Sequence, residues 1–304
     1  MKHNPITVLS FAKINLTLDI TGKLPNGYHT VDMVMQTVSL LDKITVEKLD
    51  IQTNNNYIQL SCNKEHIPCD KRNTAYKAVE YFSEYCGIVC QVKIMIEKNI
   101  PSQAGLAGGS TDGAGVLVAL NRLYDTHLTN EQLAEIGTKI GADVPFCIYG
   151  GTMLATGIGT DLQKVEHNFD LQKYYILLCK PNIGVSTPMA YQKSDNRPFA
   201  EYVHSTALIN AMQQNNETDF LNSLYNDFDS LLELSEVQNI KSIMKENGAL
   251  QSVMSGSGPT VYGIYNDTVA LQNTYNILKQ KYTETYSTKT CDSGQILIDE
   301  EYSA

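Results

Sequence analysis

The sequence has few basic residues, and its lysines and arginines nowhere gather into a cluster. Of its 304 residues, 23 are Lys or Arg and 33 are Asp or Glu, which gives a formal net charge of -10. A protein that holds a nucleic-acid polymer needs a basic face for the phosphates. We therefore expect no nucleic-acid polymer as a partner, and the charge disfavours an RNA-binding protein.

Long apolar segments are also missing. No run approaches the roughly 18 residues that are needed to cross a bilayer, and the N-terminal sixteen residues lack the apolar stretch of a signal peptide. We expect no membrane contact and a cytoplasmic location. With 42% hydrophobic and 18% charged residues, the chain is typical of a globular protein, and its length suits two domains or one large one.

Closely paired cysteines are a third absence. The seven cysteines are odd in number and scattered along the chain, which favours reduced thiols over a disulfide framework. Cys62, His66 and Cys69 lie near one another, but their spacing lacks the regular pairs of a zinc site. We favour plain thiols here over a structural zinc ion.

Local patterns predict a mixture of strands and helices. Residues 6–19 alternate with a period of two, which places Lys13 and Asn15 on the polar face of a strand, and Pro25-Asn26-Gly27 predicts a turn. Without a regular βαβ alternation, a repeat or a long linker, the fold class is α+β. The other predicted strands cover residues 31–41, 44–47, 57–62, 92–98, 174–179 and 261–265. The predicted helices cover 73–85, a segment after the glycine-rich stretch that ends at residue 123 or 124, a segment from the capping box at 129–132 to Gly141, 219–232 and 269–281.

A glycine-rich segment lies between a predicted strand and a predicted helix. Small residues bring backbone N–H groups close to a ligand, and a helix N-terminus favours an anion. The segment lacks the ending of a Walker A loop and the glycine spacing of a Rossmann fingerprint. We predict a phosphate-binding loop, with a flexible loop before a small-residue helix as the alternative. Its residues are Pro101, Ser102, Gln103, Ala104, Gly105, Leu106, Ala107, Gly108, Gly109, Ser110, Thr111 and Asp112.

Two further segments gain meaning beside this loop. Residues 255–259, Ser-Gly-Ser-Gly-Pro, form either a second tight loop near the same ligand or a simple turn. Asp143 is a lone carboxylate after a predicted helix end and before Pro145. It is either a turn residue or a general base within reach of a hydroxyl group.

Three of these segments together resemble the GHMP kinase superfamily: residues 12–15, 101–112 and 253–261. Residues 12–16, 27–30, 141–146 and 181–191 are similar to those of its members that act on a cytidine diphosphate ester of methylerythritol. The resemblance implies an α+β fold of two domains, residues 1–155 and 156–304, with the active site between them. It also implies a left-handed βαβ unit in the first domain, against the usual handedness, and an antiparallel sheet flanked by helices in the second.

The resemblance further implies an ATP-dependent kinase in isoprenoid precursor synthesis, with Mg2+ as cofactor and the 2-hydroxyl of the methylerythritol ester as acceptor. Lys13 and Asp143 match the catalytic pair. Asp143 would accept the hydroxyl proton, and Lys13 would orient it and stabilise negative charge during in-line transfer. A structural ion pair remains the alternative for Lys13. The magnesium ligands are not assigned, and Ser110 and Asp112 are the candidates.

Binding residues follow from the same resemblance. Tyr28 and His29 match a cytidine-binding pair, Tyr191 a second aromatic residue on the opposite face, and Asn15 a substrate contact. Residues Lys98 and Asn73 match the adenine side of the nucleotide pocket.

The loop departs from the family pattern at three positions. Gln103 and Ala107 stand where glycine is more usual, and Thr111 where serine is usual. The path of the backbone is therefore not expected to be standard.

Two other functions stay open: a GHMP kinase for homoserine, mevalonate or a sugar, and a nucleotide sensor without catalysis. The sequence does not indicate an oligomeric state.

Overall fold

Two β-sheets and ten helices make up the computed structural model, which describes residues 4–51, 53–195, 199 and 202–298. The strands are β1 (Ile6–Asn15), β2 (Thr17–Lys23), β3 (His29–Lys48), β4 (Tyr57–Cys62), β5 (Gln91–Glu97), β6 (Thr152–Thr156), β7 (Asp161–Lys164), β8 (Tyr175–Lys180), β9 (Tyr225–Asn226), β10 (Gln251–Met254), β11 (Val261–Tyr265), β12 (Glu284–Thr288) and β13 (Gln295–Ile298). The helices are α1 (Thr74–Cys86), α2 (Gly108–Leu123), α3 (Asn130–Ile140), α4 (Val144–Tyr149), α5 (Thr187–Ser194), α6 (His204–Gln213), α7 (Glu217–Asn222), α8 (Asp227–Leu232), α9 (Ser235–Glu246) and α10 (Thr268–Lys279).

The nine-stranded first sheet is organised around β3, whose 20 residues pair with four other strands. β1, β2, β5 and β6 all run antiparallel to it. The register between β1 and β3 shifts between Phe11 and Ala12, where β3 bulges. A bulge bends and twists the strand that carries it. The carboxylate of Asp42, just after this bulge, is fully buried.

Strands β4 and β5 are parallel, and α1 connects them, which makes a βαβ unit. α1 begins because Asn73 caps it: the Asn73 side chain accepts a hydrogen bond from the backbone N–H of Ala75. It ends at Gly87, whose φ of 65° lies in the left-handed region. Its buried face, which includes Phe82, packs mainly against α2 and α3. The predicted left-handed crossover stays a prediction.

The second sheet has four antiparallel strands in the order β10-β11-β8-β12. Helices α9 and α10 pack on it. All five residues of β11 are buried, which is expected for a central strand covered on both faces. The α+β class and the antiparallel sheet flanked by helices in the second half of the chain are thereby confirmed.

The chain returns to the first sheet after entering the second. β9 and β13 follow β8, the first strand of the second sheet along the chain, yet they pair with β2 and β1. β7 also lies beyond residue 155 and pairs with β6 of the first sheet. Gln295 on β13 accepts a hydrogen bond from Ser10 Oγ at 2.6 Å and donates to Thr111 Oγ1 at 3.0 Å and to the Cys147 carbonyl at 3.1 Å. It joins the last described strand to the first strand and to α2. The domain boundary at residue 155 stays a prediction.

Several predicted elements need correction. Residues 6–19 form two strands rather than one, because the chain turns at Leu16. Residues 31–41 and 44–47 belong to one continuous strand. The helix predicted over 219–232 is wrong: α7 ends at Asn222, and residues 225–226 pair in parallel with β2 before α8 begins. The capping box at Thr129 is confirmed. In the described ranges of the chain, no helix is long and apolar enough to span a bilayer.

Candidate active site

A large cleft, about 1350 Å³ in volume, is lined by residues from both halves of the chain. The glycine-rich loop forms one wall and the turn between β2 and β3 another. Helix α5 and the loop at residues 255–258 close the remaining sides. Most of the predicted site residues meet in this cleft.

Lys13 and Asp143 face each other at its centre. The Lys13 side chain is only 5% exposed, and its Nζ donates to Asn15 Oδ1 at 2.6 Å and lies 3.9 Å from Asp143 Oδ2. Asp143 occupies the N-cap position of α4 without making a side-chain capping bond, and its side chain is 31% exposed. Its carboxylate is therefore open to a ligand in the cleft, next to a buried positive charge.

The glycine-rich loop is fastened to the strand that carries Lys13. The Lys13 backbone N–H donates to the Leu106 carbonyl at 3.2 Å, and Thr111 Oγ1 donates to the Phe11 carbonyl at 2.8 Å. The Thr111 hydroxyl therefore packs inward and, like Leu106, does not line the cleft. The first turn of α2 presents Gly109 and Ser110 at its open N-terminus.

The two residues of the loop that replace glycine both have a backbone conformation that favours glycine. Gln103 has a φ of 51° and Ala107 a φ of 57°, both in the left-handed region that favours glycine. Ala107 is the N-cap of α2 and makes no side-chain cap. Both residues thus keep a conformation that glycine would adopt at lower cost.

A second loop holds the first in place. Ser255 Oγ donates to the Gly105 carbonyl at 2.9 Å and accepts from the Asn15 N–H at 3.2 Å. A β-carbon on Gly105 would lie 1.9 Å from the Ser255 carbonyl oxygen, so only glycine allows this approach. The backbone N–H of Thr260 donates to the Ala104 carbonyl at 3.3 Å. Of the two sequence interpretations for residues 255–259, the structure favours the tight loop, which lies beside the glycine-rich loop.

Lys98 lies beneath the loop in a buried ion cluster. Its Nζ donates to Asp42 Oδ2 at 2.5 Å, to Asp112 Oδ2 at 2.7 Å and to the Gly108 carbonyl at 2.7 Å. Burial raises the pKa of Asp112 against the lowering effect of Lys98. The two carboxylates give a net rise in the pKa of Lys98, although burial opposes it. All three ammonium protons are used, so Lys98 fixes the start of α2.

Asn73 also lines the cleft, together with the glycine-rich loop. Its Oδ1 accepts from the Ala75 N–H at 2.9 Å and its Nδ2 donates to the Pro68 carbonyl at 2.8 Å. Both polar atoms of the side chain thus hold α1 and the preceding turn. Direct contacts of Asn73 and Lys98 with a nucleotide stay predictions.

The opposite end of the cleft is aromatic. Tyr28 is 63% exposed at the tip between β2 and β3. The His29 ring stacks on the Tyr191 ring, with centroids 5.0 Å apart and an interplanar angle of 23°. Tyr191 in turn meets Phe228 edge-on at 4.9 Å. This surface suits a planar ring that stacks on aromatic faces.

Two residues with a clear part in this geometry were missed by the sequence analysis: Asp42, which neutralises Lys98, and Asp195, which holds His29. Ser255, which donates a hydrogen bond to the Gly105 carbonyl, begins the second tight loop that the sequence indicated. The carboxylates of Asp42 and Asp195 stand alone in the sequence, and only the folded chain brings them to their partners.

The described residues contain no group of three His, Cys, Asp or Glu side chains that could hold a metal ion. Cys62 and Cys69 are free thiols, as are the other five cysteines.

Two family descriptions match this chain. The GHMP kinases N terminal domain matches residues 73–151, and the GHMP kinases C terminal domain matches residues 205–284. A 4-diphosphocytidyl-2-C-methyl-D-erythritol kinase of Clostridium perfringens is 42% identical over 295 residues, which cover 94% of this chain and 99% of that protein.

Solved structures agree with this match. A crystal structure of 4-(cytidine 5'-diphospho)-2C-methyl-D-erythritol kinase superposes with a TM-score of 0.75 at 27% identity, covering 93% of this chain and 98% of that one. A homoserine kinase from Cytophaga hutchinsonii has a TM-score of 0.76 at 17% identity, covering 97% and 98%. At 17% identity, the similarity to the homoserine kinase shows only that the two folds are alike.

Proposed function

We propose, from the fact that this chain belongs to the GHMP kinase family, that it transfers the γ-phosphoryl group of ATP to the 2-hydroxyl of 4-diphosphocytidyl-2-C-methyl-D-erythritol. This reaction would place it in the non-mevalonate route to isoprenoid precursors. One observation carries the proposal: a single cleft holds Lys13 and Asp143 between a phosphate loop and an aromatic pocket. The similar kinase of Clostridium perfringens is named for the same substrate.

The centre of the cleft supports the transfer step. The acceptor hydroxyl binds beside Asp143, whose exposed carboxylate takes the proton as the hydroxyl oxygen attacks the γ-phosphorus. The bond between that phosphorus and the bridging oxygen breaks, and ADP leaves. Lys13, 3.9 Å from Asp143, orients the carboxylate and stabilises the negative charge of the phosphoryl group. Phosphoryl transfer depends mostly on such positioning and charge, so little further chemistry is required of the protein.

The nucleotide phosphates fit the start of α2. A helix of 16 residues points its free N–H groups at this end of the cleft, where Gly109 and Ser110 are accessible. The hydrogen bond from Ser255 Oγ to the Gly105 carbonyl keeps the glycine-rich loop open for the anion. Of the loop residues from Pro101 to Asp112, only Leu106 and Thr111 are turned away from the cleft.

Magnesium is part of the proposal, and two oxygens near the loop suit it. Asp112 Oδ1 is buried without a hydrogen-bond partner among the described residues, while Asp112 Oδ2 accepts from Lys98. Ser110, two residues before it, lines the cleft. Mg2+ commonly uses one or two protein oxygens with substrate phosphates and water. Asp112 and Ser110 would hold the ion, which would neutralise phosphate charge.

Tyr28, His29 and Tyr191 form the cytidine end of the proposed site, with Asn15 between them and the reacting groups. The aromatic faces of Tyr28 and Tyr191 stack on the base. Asn15 Oδ1 accepts from Lys13, so the Asn15 side chain also holds the catalytic ammonium at a fixed distance from the substrate.

The proposal is tested by measuring ADP release with ATP, Mg2+ and a panel of acceptors: the cytidyl diphosphate ester, homoserine, mevalonate and simple sugars. We expect turnover only with the cytidyl ester, and phosphorus NMR of the product should show a phosphate monoester at the 2-hydroxyl. Turnover of mevalonate or homoserine without the cytidyl ester would overturn the choice of substrate. Nucleotide binding without any turnover would indicate a sensor.

We also propose a cytoplasmic location. The seven free cysteines support a reducing compartment, because thiols that persist unpaired are typical of it. Three of them, including Cys147 and Cys179, are buried, where desolvation raises the pKa of the thiol and makes it unreactive.

A further inference from the structure

Asp195 holds the imidazole of His29 at the cytidine end of the cleft. It is the residue directly after α5, and His29 is the first residue of β3. His29 Nε2 lies 2.7 Å from Asp195 Oδ1, and Lys23 Nζ lies 2.5 Å from Asp195 Oδ2. Both oxygens of the carboxylate are therefore occupied by partners on the β2–β3 hairpin, 166 and 172 residues away in sequence.

The charge of Asp195 decides which ring nitrogen of His29 carries hydrogen. Hydrogen bonds from Lys23 and then from His29 lower the pKa of Asp195, so it is a carboxylate at neutral pH. A carboxylate only accepts hydrogen bonds. In the neutral form of the ring, Nε2 is therefore the nitrogen that carries hydrogen, and Nδ1 carries the lone pair.

That lone pair faces the cleft without a hydrogen-bond partner among the described residues. Among the residues that the structure describes, none hydrogen-bonds to His29 Nδ1, although the His29 side chain is only 6% exposed and its ring is held against Tyr191. The residue lines the cleft together with Tyr28 and Tyr191. His29 Nδ1 is thus a hydrogen-bond acceptor in a fixed position at the edge of the aromatic surface of the cleft.

We propose that Asp195 is a positioning residue which locks His29 as a hydrogen-bond acceptor at Nδ1 and thereby selects cytosine over uracil. The inference rests on the proposed function, since it concerns the base of that substrate. Cytosine offers an exocyclic amino group, which donates to Nδ1. Uracil has a carbonyl oxygen at the same place, and two acceptors facing each other leave a buried polar group unpaired.

A purely structural role for Asp195 predicts a different effect on substrate preference. If the carboxylate only ties α5 to the β2–β3 hairpin, its loss weakens binding of cytidine and uridine substrates alike. If Asp195 sets the tautomer of His29, its replacement changes the preference for the cytidine substrate over the uridine substrate. The ratio of kcat/KM values for the two substrates therefore separates the two explanations.

The decisive variant is Asp195→Asn, because Lys23 determines the orientation of the side-chain amide that replaces the carboxylate. The Lys23 ammonium can only donate, so the amide oxygen turns to Lys23 and the NH2 group turns to His29. Nε2 then accepts, hydrogen moves to Nδ1, and His29 becomes a donor toward the base. We expect the cytidine-to-uridine ratio of kcat/KM to fall at least about tenfold, which corresponds to about 1.4 kcal/mol.

The double variant Lys23→Met with Asp195→Asn is the matched control. Without the ammonium the amide is free to rotate, its oxygen accepts from Nε2, and the ratio should return to within about threefold of the wild type. Lys23→Met alone should leave the ratio unchanged, because Asp195 still faces His29. An unaltered ratio in Asp195→Asn, or a double variant no better than Asp195→Asn, overturns the proposal.

A second readout does not depend on turnover. Nitrogen-15 spectra of histidine-labelled protein distinguish a protonated ring nitrogen from an unprotonated one, and a His29→Gln variant assigns the signal among the six histidines. We expect protonated Nε2 in the wild type and protonated Nδ1 in Asp195→Asn. The opposite tautomer in the wild type refutes the inference, and an inactive wild type with the expected tautomer refutes only the proposed function.

Discussion

Lys98 is predicted to carry more of the stability of the first domain than any exposed lysine. We consider Lys98→Met, which keeps the apolar stem and removes the ammonium. Its Nζ is shared by Asp42, Asp112 and the Gly108 carbonyl, and the side chain is only 5% exposed. The change leaves two buried carboxylates near each other without a cation.

The magnitude follows from these contacts. Removing one partner of a buried ion pair costs about 3–5 kcal/mol because the other charge stays buried and unpaired. Asp42 is partly protected, since its Oδ1 still accepts from the backbone N–H groups of Asn99 at 2.6 Å and Ile100 at 2.8 Å. Asp112 has no such support at Oδ1 among the described residues. We therefore expect Lys98→Met to lower the free energy of unfolding by about 3–5 kcal/mol.

The assay is urea unfolding followed by far-UV circular dichroism, since the chain has no tryptophan. Adding Asp112→Asn to Lys98→Met should recover part of the loss, with a coupling energy of about 0.5–3 kcal/mol. The matched control is Lys43→Met, which breaks an exposed pair with Glu97 at 3.3 Å and should cost less than about 1 kcal/mol. A Lys98→Met loss as small as that of the control, or two strictly additive changes, would refute the argument.

Three other changes test separate parts of the molecule. Asp143→Asn should lower kcat by a factor of about 10²–10⁴ while calorimetry shows ATP binding largely kept; an unchanged kcat contradicts the proton-acceptor role. Ala107→Gly should raise the free energy of unfolding by about 0.5–1 kcal/mol, because the left-handed cost of about 1–2 kcal/mol for alanine exceeds the added freedom of the unfolded glycine; a loss of stability in urea would argue against that backbone path. Thr129→Ala removes the capping box of α3 and should cost about 1 kcal/mol with kcat unchanged; an equal loss of activity would mean that the helix end matters for the site.

The sequence predicts the parts of the site that depend on local pattern. Strand alternation placed Lys13 and Asn15 on one face, and both reach the cleft. The glycine-rich loop lies between a strand and a helix as expected, and its positive φ angles fall on Gly105 and on Gln103 and Ala107, the two positions that depart from glycine. Local backbone chemistry and the resemblance to a family were sufficient for these features.

Features that depend on distant partners were beyond local pattern. Residues 225–226 were assigned to a helix because their neighbours have helical spacing, but their pairing with β2 outweighs that preference. Asp42 fell between two predicted strands, where the bulge in β3 turns its carboxylate toward Lys98. Asp195 meets His29 only after α5 is folded against the hairpin. In each case the partner is far along the chain, and spacing within a short window carries no information about it.

The pairing of β1 with β13 also has a consequence for synthesis of the protein. Ser10 and Gln295, which join these strands, are 285 residues apart. At about 5–20 residues per second, the ribosome makes the second partner about 15–60 s after the first. During that time the edge of the strand that carries Lys13 has no permanent neighbour on one side and can attract other chains. The pairing that completes the strand carrying Lys13 therefore cannot form before residue 295 has been synthesised.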